Sequence, residues 1–468
     1  MRLYCGNSDI RKPGVHMLRD LPLSLIAEIT GGRCSADEDI ICTSVSTDTR
    51  TLKPGSLYVP LSGERFNGHA FAAQALAAGA VAMLAEEDVE TVLPTVRVTS
   101  TLTALADLAA WHRDQFSGPV VAVTGSAGKT SVKQLTAHLL SMSFNTWMTQ
   151  GNLNNHIGAP LTLLALQPQH QAAMIELGAS GQGEIAYTAR LVRPLVGIIT
   201  NVAEAHLEGF GSVETICATK GELIDFIADE GTAVLNADDV FFPQWVSRAG
   251  TRQVQSFGFS EQADYRAADI ECGMLDSRFT LQAEGQSFPV SLPLPGQHNI
   301  RNALAAVAAV RAVGMDWDLI IAGLASAEPV KGRLQKNTGR KGQVILDDSY
   351  NANPGSFRAA IDVLAQAGHS WLVMGDMAEL GTDEVRLTAE IGAYAKAKQI
   401  DVLAATGRLS KAAAEAFGDG AHWFENKQQL AEFLNTNTGR GDTLLVKGSR
   451  SAGMEAVVNT LCSLEGEN

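Results

Sequence analysis

The sequence predicts an α/β protein with mostly parallel sheets, built from three domains. The chain has 468 residues, which is too many for a single hydrophobic core. From residue 99 onward, short apolar runs alternate with helical segments, as in parallel sheets covered on both faces. The segment AEPVKGRLQ, with its proline and glycine, reads as a hinge between two such stretches. We predict a loose N-terminal extension at 1–16 and three domains at 17–98, 99–327 and 328–468.

The first block begins with an amphipathic helix, LRDLPLSLIAEITGG, closed by glycines. Short strands follow in ICTSVSTD, GSLYVPL and VAMLAEE, together with an alanine-rich helix, FAAQALAAGA. This mixture predicts a small α/β domain.

The second block alternates strands and helices around PVVAVTG, AAMIELG, VGIITNV and GTAVLNAD. Between residues 251 and 295 the pattern changes to four short strands, which predicts an antiparallel meander before the helix NIRNALAAVAAVRAVG. The third block has strands at QVILDDSY, HSWLVMGD, IDVLAAT and DTLLVKG. Helices separate them, so we predict a doubly wound, Rossmann-like domain.

Composition restricts the partners. The chain carries 36 Lys+Arg against 51 Asp+Glu, a formal charge of −15, which argues against nucleic acid because its backbone needs a basic face. The six cysteines form no metal-type pair. No apolar run approaches the roughly 20 residues needed to span a bilayer. We expect a cytoplasmic monomer with reduced thiols and no transmembrane segment.

The stretch VVAVTGSAGKTSVK, residues 120–133, predicts a phosphate-binding loop between a buried strand and a helix. Backbone N–H groups and the helix N-terminus can hold phosphate oxygens. Lys129 would reach the β- and γ-phosphates, and the Thr130 hydroxyl would bind Mg²⁺. A glycine turn with a surface lysine is the alternative, but strand, turn and helix stand in the required order. The predicted ATP-contacting residues of this loop are Gly125, Ser126, Ala127, Gly128, Lys129, Thr130 and Ser131.

Two further side chains are candidate magnesium ligands. Glu176 ends the run AAMIEL, and His206 follows IITNVAEA. In an open α/β sheet, ligands collect beyond the carboxyl ends of the strands, beside the phosphate loop. Either residue alone is more often a solvated side chain, but together with the loop they predict a metal site.

Several motifs, in order along the chain, resemble the ATP-dependent Mur ligases of peptidoglycan synthesis. They are TGSAGKTS, GNLNNHIGAPLTLL, IELGAS, TNVAEAHLEGFGS, GQHNIRNALAA and LDDSYNANP. Val123 stands where the common G-x-x-x-x-G-K-[ST] loop has glycine, as in this family. Further motifs resemble the members that add D-alanyl-D-alanine to UDP-N-acetylmuramoyl-tripeptide: STDTRTLKPGSLYVPLSGERFNGH, GDMAELG and LVKGSRSAGMEAVV.

The resemblance implies a reaction. ATP phosphorylates the terminal carboxylate of the tripeptide, and the dipeptide amine then attacks the acyl phosphate. It also implies that Lys220 is carbamylated by CO₂ and binds a second Mg²⁺ with Glu176 and His206, whereas an ordinary surface lysine is the alternative. Arg333, in the hinge, would reach the γ-phosphate when domains close. The implied catalytic residues are Lys129, Glu176, His206, Lys220 and Arg333.

The resemblance also assigns nucleotide contacts. Asn299 and Asn302 would contact adenine, although Asn299 could instead cap its helix. Asp348 would hold the ribose, and Asp347 would face away because strand residues alternate. The implied neighbours on the nucleotide side are Tyr350, Asn351 and Asn353.

The N-terminal block and one asparagine-rich loop should bind the UDP substrate. The matching residues are Ser46, Asp48, Arg50, Gly63, Arg65, His69, Asn152, Asn154, Asn155 and His156. Asn67 replaces the aspartate of the usual R-F-D-G-H pattern, and the asparagines of the loop could equally be turn formers. The implied residues on the D-alanyl-D-alanine side are Lys447, Ser449 and Arg450.

Other functions remain open at this point. Folylpolyglutamate synthase shares the phosphate loop, but it lacks an N-terminal block of this type. A Mur ligase that adds a diamino acid or glutamate is a nearer alternative, and a regulatory P-loop NTPase comes from a different class. The third peptide residue of the substrate, lysine or meso-diaminopimelate, stays open.

Overall fold

The computed structural model describes residues 18–35, 40–63, 66–203 and 207–462. The chain forms two compact units. The first runs up to Gly118 and also takes in Thr149–Gln171, and the second comprises Pro119–Met148 and the chain from Ala172 onward. In the described part of the chain, no helix is long and apolar enough to cross a membrane. The predicted extension at 1–16 lies outside the described residues.

The first unit contains a small mixed sheet of order β2-β9-β8-β5-β4, parallel except at β2. Buried Tyr58, Ala75 and Met83 form part of its core. Its elements are β1 (Leu21–Pro22), α1 (Leu23–Thr30), β2 (Arg33–Cys34), β3 (Ile41–Cys42), β4 (Ser44–Ser46), β5 (Ser56–Tyr58), β6 (Ser62–Gly63), β7 (Phe66–Asn67), α2 (Ala72–Ala77), β8 (Ala80–Ala85), β9 (Thr95–Arg97), α3 (Thr101–Asp114) and α5 (Gly158–Leu164).

The first unit extends beyond the expected domain boundary at 98–99. Helix α3 packs on α1 and α5 within this unit. A side-chain hydrogen bond supports that packing, because His112 Nε2 lies 3.1 Å from the carbonyl oxygen of Leu166. The helix that the sequence analysis assigns to the central block therefore lies in the first unit.

The second unit begins with a large sheet of order β11-β12-β10-β13-β14-β15-β16-β17-β18. It is parallel as far as β16 and antiparallel from β16 to β18. The last three strands of the predicted antiparallel meander are therefore confirmed, whereas its first strand, β15, pairs in parallel with both neighbours. Its strands are β10 (Val120–Thr124), β11 (Thr146–Met148), β12 (Ala172–Glu176), β13 (Val196–Ile199), β14 (Thr232–Asn236), β15 (Gln253–Gly258), β16 (Tyr265–Cys272), β17 (Ser277–Ala283) and β18 (Gln286–Leu292).

Helices cover this sheet because its central strands are apolar throughout. Every residue of β10, β12 and β13 is buried, as expected for parallel strands between two helical layers. Helix α4 packs on α10, and α6 packs on α8. The helices are α4 (Lys129–Ser141), α6 (Glu184–Val192), α7 (Leu207–Phe210), α8 (Val213–Asp225), α9 (Phe242–Ala249), α10 (Gln297–Ala312) and α11 (Trp317–Ala325).

The C-terminal part of the second unit has a sheet of order β19-β20-β24-β21-β22-β23, in which β19 alone is antiparallel to its neighbour. Apolar clusters lie on both faces, which confirms the predicted α/β class. The elements are β19 (Gln335–Thr338), β20 (Val344–Asp348), α12 (Pro354–Leu364), β21 (Ser370–Met374), α13 (Glu384–Ala397), β22 (Val402–Thr406), α14 (Ser410–Phe417), β23 (Ala421–Phe424), α15 (Lys427–Asn437), β24 (Thr443–Lys447) and α16 (Glu455–Cys462).

Candidate active site

The predicted phosphate loop joins β10 to α4, and its two glycines are required by geometry. Gly125 has φ +146° and Gly128 has φ +82°, and L side chains rarely adopt such values. A Cβ on Gly125 would lie 1.9 Å from Thr200 Oγ1, and a Cβ on Gly128 would lie 2.7 Å from Asn302 Oδ1. The loop is thus packed directly against the end of β13 and the start of α10.

Asn201, which the sequence analysis quotes within a motif but does not single out, holds this loop. Its backbone oxygen accepts from Ser126 N at 3.0 Å, and its Oδ1 accepts from Ala127 N at 3.0 Å. Lys129 Nζ donates to the carbonyl oxygen of Gly125 at 2.6 Å. Burial lowers the pKa of Lys129, with opposing attraction from Glu176 and added repulsion from Arg333. Lys129, Glu176 and Arg333 therefore interact electrostatically.

Glu176 lies beside the loop because β12 runs parallel to β10, with Glu176 opposite Val123. Its Oε2 lies 3.4 Å from Lys133 Nζ, and the two side chains are only 3% and 1% exposed. Lys133 is a residue that the sequence analysis missed. Its position four residues after Lys129 was an available signal, since residues at i and i+4 share a helix face.

Lys220 is buried on α8 at 2% exposure. Burial, and secondarily repulsion from Lys129, lower its pKa to about 7, against opposing effects of Glu184 and Glu222. Its Nζ lies 5.1 Å from the ring centroid of Phe210. A lysine with this pKa carries a substantial fraction of neutral amine at neutral pH. Lys220 is therefore a chemically unusual lysine, in contrast to a surface lysine.

The donors beside the loop suit a hard cation. The carboxylate of Glu176 and the hydroxyl of Thr130, in the first turn of α4, are oxygen ligands of the kind that Mg²⁺ uses together with substrate phosphates. Within the described residues, no three His, Cys, Asp or Glu side chains cluster as a complete metal cage. His206 lies outside the described residues.

The two asparagines of α10 differ in environment. Asn302 Oδ1 adjoins Gly128 of the loop, and its Nδ2 donates to Asn299 Oδ1 at 3.4 Å. Asn299 Nδ2 donates to the carbonyl oxygen of Pro295 at 2.8 Å. Asn302 thus faces the phosphate loop, whereas Asn299 stabilises the start of its own helix. The adenine contact of either residue stays a prediction.

Asp348 and Lys447, expected on different substrates, form a buried ion pair. They lie opposite each other in the parallel register of β20 and β24. Lys447 Nζ donates to Asp348 Oδ2 at 2.5 Å and to the carbonyl oxygen of Asn351 at 3.1 Å. Burial lowers the pKa of Lys447, and the charge of Asp348 opposes this. Both side chains are thus already engaged with the protein.

The neighbours of Asp348 have structural partners. Asp347 Oδ1 accepts from Ser349 N at 3.0 Å and from its hydroxyl at 2.6 Å. Asn353 caps α12 by accepting from Ser356 N at 2.8 Å. Asp347 therefore turns to its own loop, as expected, and Asn353 serves as a helix cap.

The hinge arginine lies on an aromatic ring. Arg333 Cζ is 4.5 Å from the ring centroid of Tyr350, and Arg450 Cζ is 5.9 Å from the same centroid. Arg450 also pairs with Glu455 at 3.1 Å on the surface. Ser449 is buried, and its N–H donates to the carbonyl oxygen of Asp376 at 2.8 Å. The motifs GDMAELG and KGSRS, distant in sequence, therefore meet.

In the first unit, Ser46, Asp48 and Arg50 form a local cluster. Ser46 Oγ donates to the carbonyl oxygen of Asp48 at 3.0 Å. Arg50 lies 2.6 Å from the Asp48 carboxylate, and its side-chain and backbone hydrogen bonds lower the pKa of Asp48 to about 2. The guanidinium of Arg50 is 86% exposed, so it is accessible to a solute.

Asn67 fills the position of the usual aspartate without its charge. Its Oδ1 accepts from His69 N at 2.9 Å and lies 2.8 Å from His69 Nδ1. Its Nδ2 donates to Glu87 Oε1 at 2.8 Å. Since His69 Nε2 accepts from Glu86 N at 3.1 Å, the ring proton lies on Nδ1. Gly63 is exposed at the hairpin of β6 and β7, and Arg65 lies outside the described residues.

The asparagine-rich loop opens helix α5. Asn155 Oδ1 accepts from Ile157 N at 3.2 Å and Gly158 N at 2.8 Å, so this residue is a turn former. Asn152 and His156 are exposed. The N–H of Asn154 donates to the carbonyl oxygen of Asn152 at 2.8 Å. Substrate contacts of these residues remain predictions.

Comparison with known proteins finds matches to one protein family along most of the chain. Family models match residues 42–113 (Mur ligase family, catalytic domain), 123–310 (Mur ligase middle domain) and 332–450 (Mur ligase, glutamate ligase domain). A curated relative from Escherichia coli, UDP-N-acetylmuramoyl-tripeptide–D-alanyl-D-alanine ligase, is 46% identical over 94% of this chain and 98% of its own.

Two solved structures are similar in fold. MurF from Acinetobacter baumannii aligns with a TM-score of 0.90 and 35% identity, covering 95% of this chain and 99% of its own. MurF ligase from Thermotoga maritima, in complex with ADP, aligns with a TM-score of 0.80 and 28% identity, covering 89% and 96%.

Proposed function

Because the chain belongs to the Mur ligase family, we propose that it is an ATP-dependent ligase acting in peptidoglycan synthesis. It joins D-alanyl-D-alanine to the terminal carboxylate of UDP-N-acetylmuramoyl-tripeptide. The observation that carries this proposal is the near full-length similarity to relatives named for that reaction. The ADP in the complex of the Thermotoga maritima relative supports ATP as a substrate.

In the first step, a carboxylate oxygen of the tripeptide attacks the γ-phosphorus of ATP. An O–P bond forms between the carboxylate and the γ-phosphorus, and the bond from the γ-phosphorus to the β-phosphate oxygen breaks. The products of this step are the acyl phosphate and ADP. Such a transfer depends on positioning and charge stabilisation. Lys129 and the loop amides hold the phosphates. The repulsion from Arg333 that helps to lower the pKa of Lys129 supports a role for Arg333 at the γ-phosphate.

In the second step, the amine of D-alanyl-D-alanine attacks the acyl carbon. The C–N bond forms, the C–O bond to phosphate breaks, and the amine gives up a proton. We assign the dipeptide carboxylate to the loop of Ser449 and Arg450, where an exposed guanidinium is available. The buried Lys447 supports this loop through its strand, since its ammonium is engaged by Asp348.

Thr130 and Glu176 would hold Mg²⁺ at the phosphate loop, and the ion would neutralise charge on the phosphate oxygens. For Lys220 we propose carbamylation: its neutral Nζ adds to CO₂, a C–N bond forms, and one proton is released. The resulting carbamate would offer oxygen ligands to a second Mg²⁺, with Glu176 and His206 as the further proposed ligands. The lowered pKa of Lys220, about 7, supports this proposal because the free amine is the reacting form.

The first unit binds the UDP part of the substrate in this proposal. Arg50 and Arg65 are the cations assigned to the diphosphate, since guanidinium groups bind phosphate strongly. His69 holds the loop around Asn67 in place. The dependence on a nucleotide-linked substrate and on ATP favours the cytoplasm as the place of action.

A phosphate-release assay over a matrix of substrates tests the function. We expect turnover when ATP, UDP-N-acetylmuramoyl-tripeptide and D-alanyl-D-alanine are all present, and the ligated product by mass spectrometry. Lysine- and diaminopimelate-containing tripeptides are compared in parallel. Turnover with ATP alone, with a UDP-muramoyl dipeptide plus a diamino acid, or with a folate plus glutamate would contradict the proposal.

A further inference from the structure

The ring of Tyr350 lies close to two arginines that the proposed function assigns to different substrates. Arg333 Cζ lies 4.5 Å from the ring centroid and Arg450 Cζ lies 5.9 Å from it. Both distances are within the range of about 6 Å at which a guanidinium is attracted to an aromatic ring. One side chain thus contacts both the hinge arginine and the arginine of the 447–453 loop.

The backbone around this ring is fixed. Tyr350 N donates to the carbonyl oxygen of Gly332 at 3.2 Å, and Leu334 N donates to Asp348 Oδ1 at 3.2 Å. Gly332 has φ +70°, and a Cβ there would lie 3.2 Å from Tyr350 Cβ. On either side of Arg333 the hinge is thus bound to the end of β20 and to the residues just after it, which limits where the guanidinium of Arg333 can lie.

Arg333 needs such support because its own polar contacts are few. Among the described residues, its Nε is buried and has no hydrogen-bond partner. Its positive charge lowers the pKa of both Lys129 and Lys447, so it stands among like charges. Attraction to the electron-rich ring of Tyr350 offsets part of this repulsion.

We propose that Tyr350 is a positioning residue that aligns Arg333 with Arg450, and so couples the phosphate side of the site to the side that binds the dipeptide. The inference rests on the proposed function and deepens it. Its consequence is that a change at Tyr350 affects ATP and D-alanyl-D-alanine together and leaves the UDP substrate, assigned to the first unit, unaffected.

Steady-state kinetics of Tyr350→Leu and Tyr350→Phe test this. With Y350L we expect the KM values for ATP and D-alanyl-D-alanine each to rise about 3- to 30-fold, and the KM for the UDP-tripeptide to stay constant. Y350F retains the ring and should recover most of both effects. Tyr394→Leu is the matched control, because Tyr394 also carries two cations, Arg358 and Lys398, but lies outside the proposed site.

Arg450→Met provides a second test that does not depend on Y350L being folded. Coupling through the ring predicts that R450M raises the KM for ATP as well as that for the dipeptide. An R450M effect on the dipeptide alone, or equal KM values in Y350L and wild type, would overturn the inference. If instead the wild-type protein itself shows no dipeptide-dependent phosphate release, the proposed function fails and not the role of Tyr350.

Discussion

Lys133 Nζ and Glu176 Oε2 lie 3.4 Å apart, and both side chains are almost completely buried. The pair joins the first turns of the phosphate-loop helix to the end of the neighbouring strand. A carboxylate at this depth requires a compensating charge. The proposed magnesium ligand is therefore held in place by a lysine of the helix that follows the phosphate loop.

Replacing Lys133 by methionine should lower the free energy of unfolding by about 3 kcal/mol, because the buried carboxylate of Glu176 loses the cation that lies 3.4 Å from it. Urea unfolding measures the change. The double variant K133M/E176Q should regain part of the loss, since the buried negative charge is gone. Lys398→Met breaks an exposed pair with Asp362 and should cost much less, because solvent screens such a pair. Equal losses in K133M and K398M would contradict the buried-pair interpretation.

Lys220→Ala should abolish most ligase activity, because the carbamate oxygens are lost. Lys220→Arg should be equally inactive, since a guanidinium stays protonated and cannot react with CO₂. Addition of acetate or bicarbonate should partly restore K220A and leave K220R unchanged. Phosphate release with all substrates present is the measurement. Full activity of K220A would rule out the carbamate role.

Lys220 should also make stability depend on pH. Its folded-state pKa of about 7 lies below the ordinary value of 10.5, so between these values only the unfolded chain binds the proton. The free energy of unfolding of the wild type should therefore rise, relative to K220M, by about 2 kcal/mol between pH 7 and pH 9 in CO₂-free buffer. A constant difference across this window would show that Lys220 titrates normally.

Gly128→Ala should raise the KM for ATP by about tenfold or more. The new Cβ would lie 2.7 Å from Asn302 Oδ1, in a backbone conformation with φ +82°, so the loop must move. Gly285→Ala is the matched control, since φ there is +73° with nothing within 4 Å of the added Cβ. G285A should lose only about 1 kcal/mol of stability through backbone strain, and its ATP kinetics should be normal. A normal KM in G128A would show that the loop adapts without cost.

Asn67→Asp should destabilise the first unit modestly, by about 0.5–1 kcal/mol near pH 8, because the new carboxylate faces Glu87. The site is exposed, so solvent and salt screen the repulsion. The penalty should shrink when salt is added and should vanish in N67D/E87Q. Thermal unfolding at low ionic strength measures it. A penalty that persists at high salt and in N67D/E87Q would point to lost packing instead of charge.

The sequence predicts the fold class well because its signals are local. Alternation of apolar runs and helices determines the parallel sheets, and the order of strand, glycines and Lys129 determines the phosphate loop. The glycine positions follow from backbone conformation, which a short motif encodes. The boundary of the first unit is harder to predict from the sequence, because α3 belongs to this unit through its packing on α1 and α5.

Partnerships inside the site are harder to predict. Asp348 and Lys447 pair because β20 and β24 align them in register, and a single sequence does not specify strand register across 99 residues. The role of Asn201 depends in the same way on how the ends of β10 and β13 meet. The position of Lys133 near the site could have been predicted, since its spacing from Lys129 places both residues on one helix face.

The contacts of Asn201 and Lys129 have a consequence for selectivity. The loop amides of Ser126 and Ala127 and the ammonium of Lys129 already have protein acceptors, so a bound phosphate exchanges partners and does not simply gain them. Each exchange contributes only the difference between two hydrogen bonds. A lone phosphate ion would gain little binding free energy from this exchange, whereas a nucleotide would also form contacts through its base and sugar. We therefore expect the loop to bind inorganic phosphate weakly, which favours release of this product after each turnover.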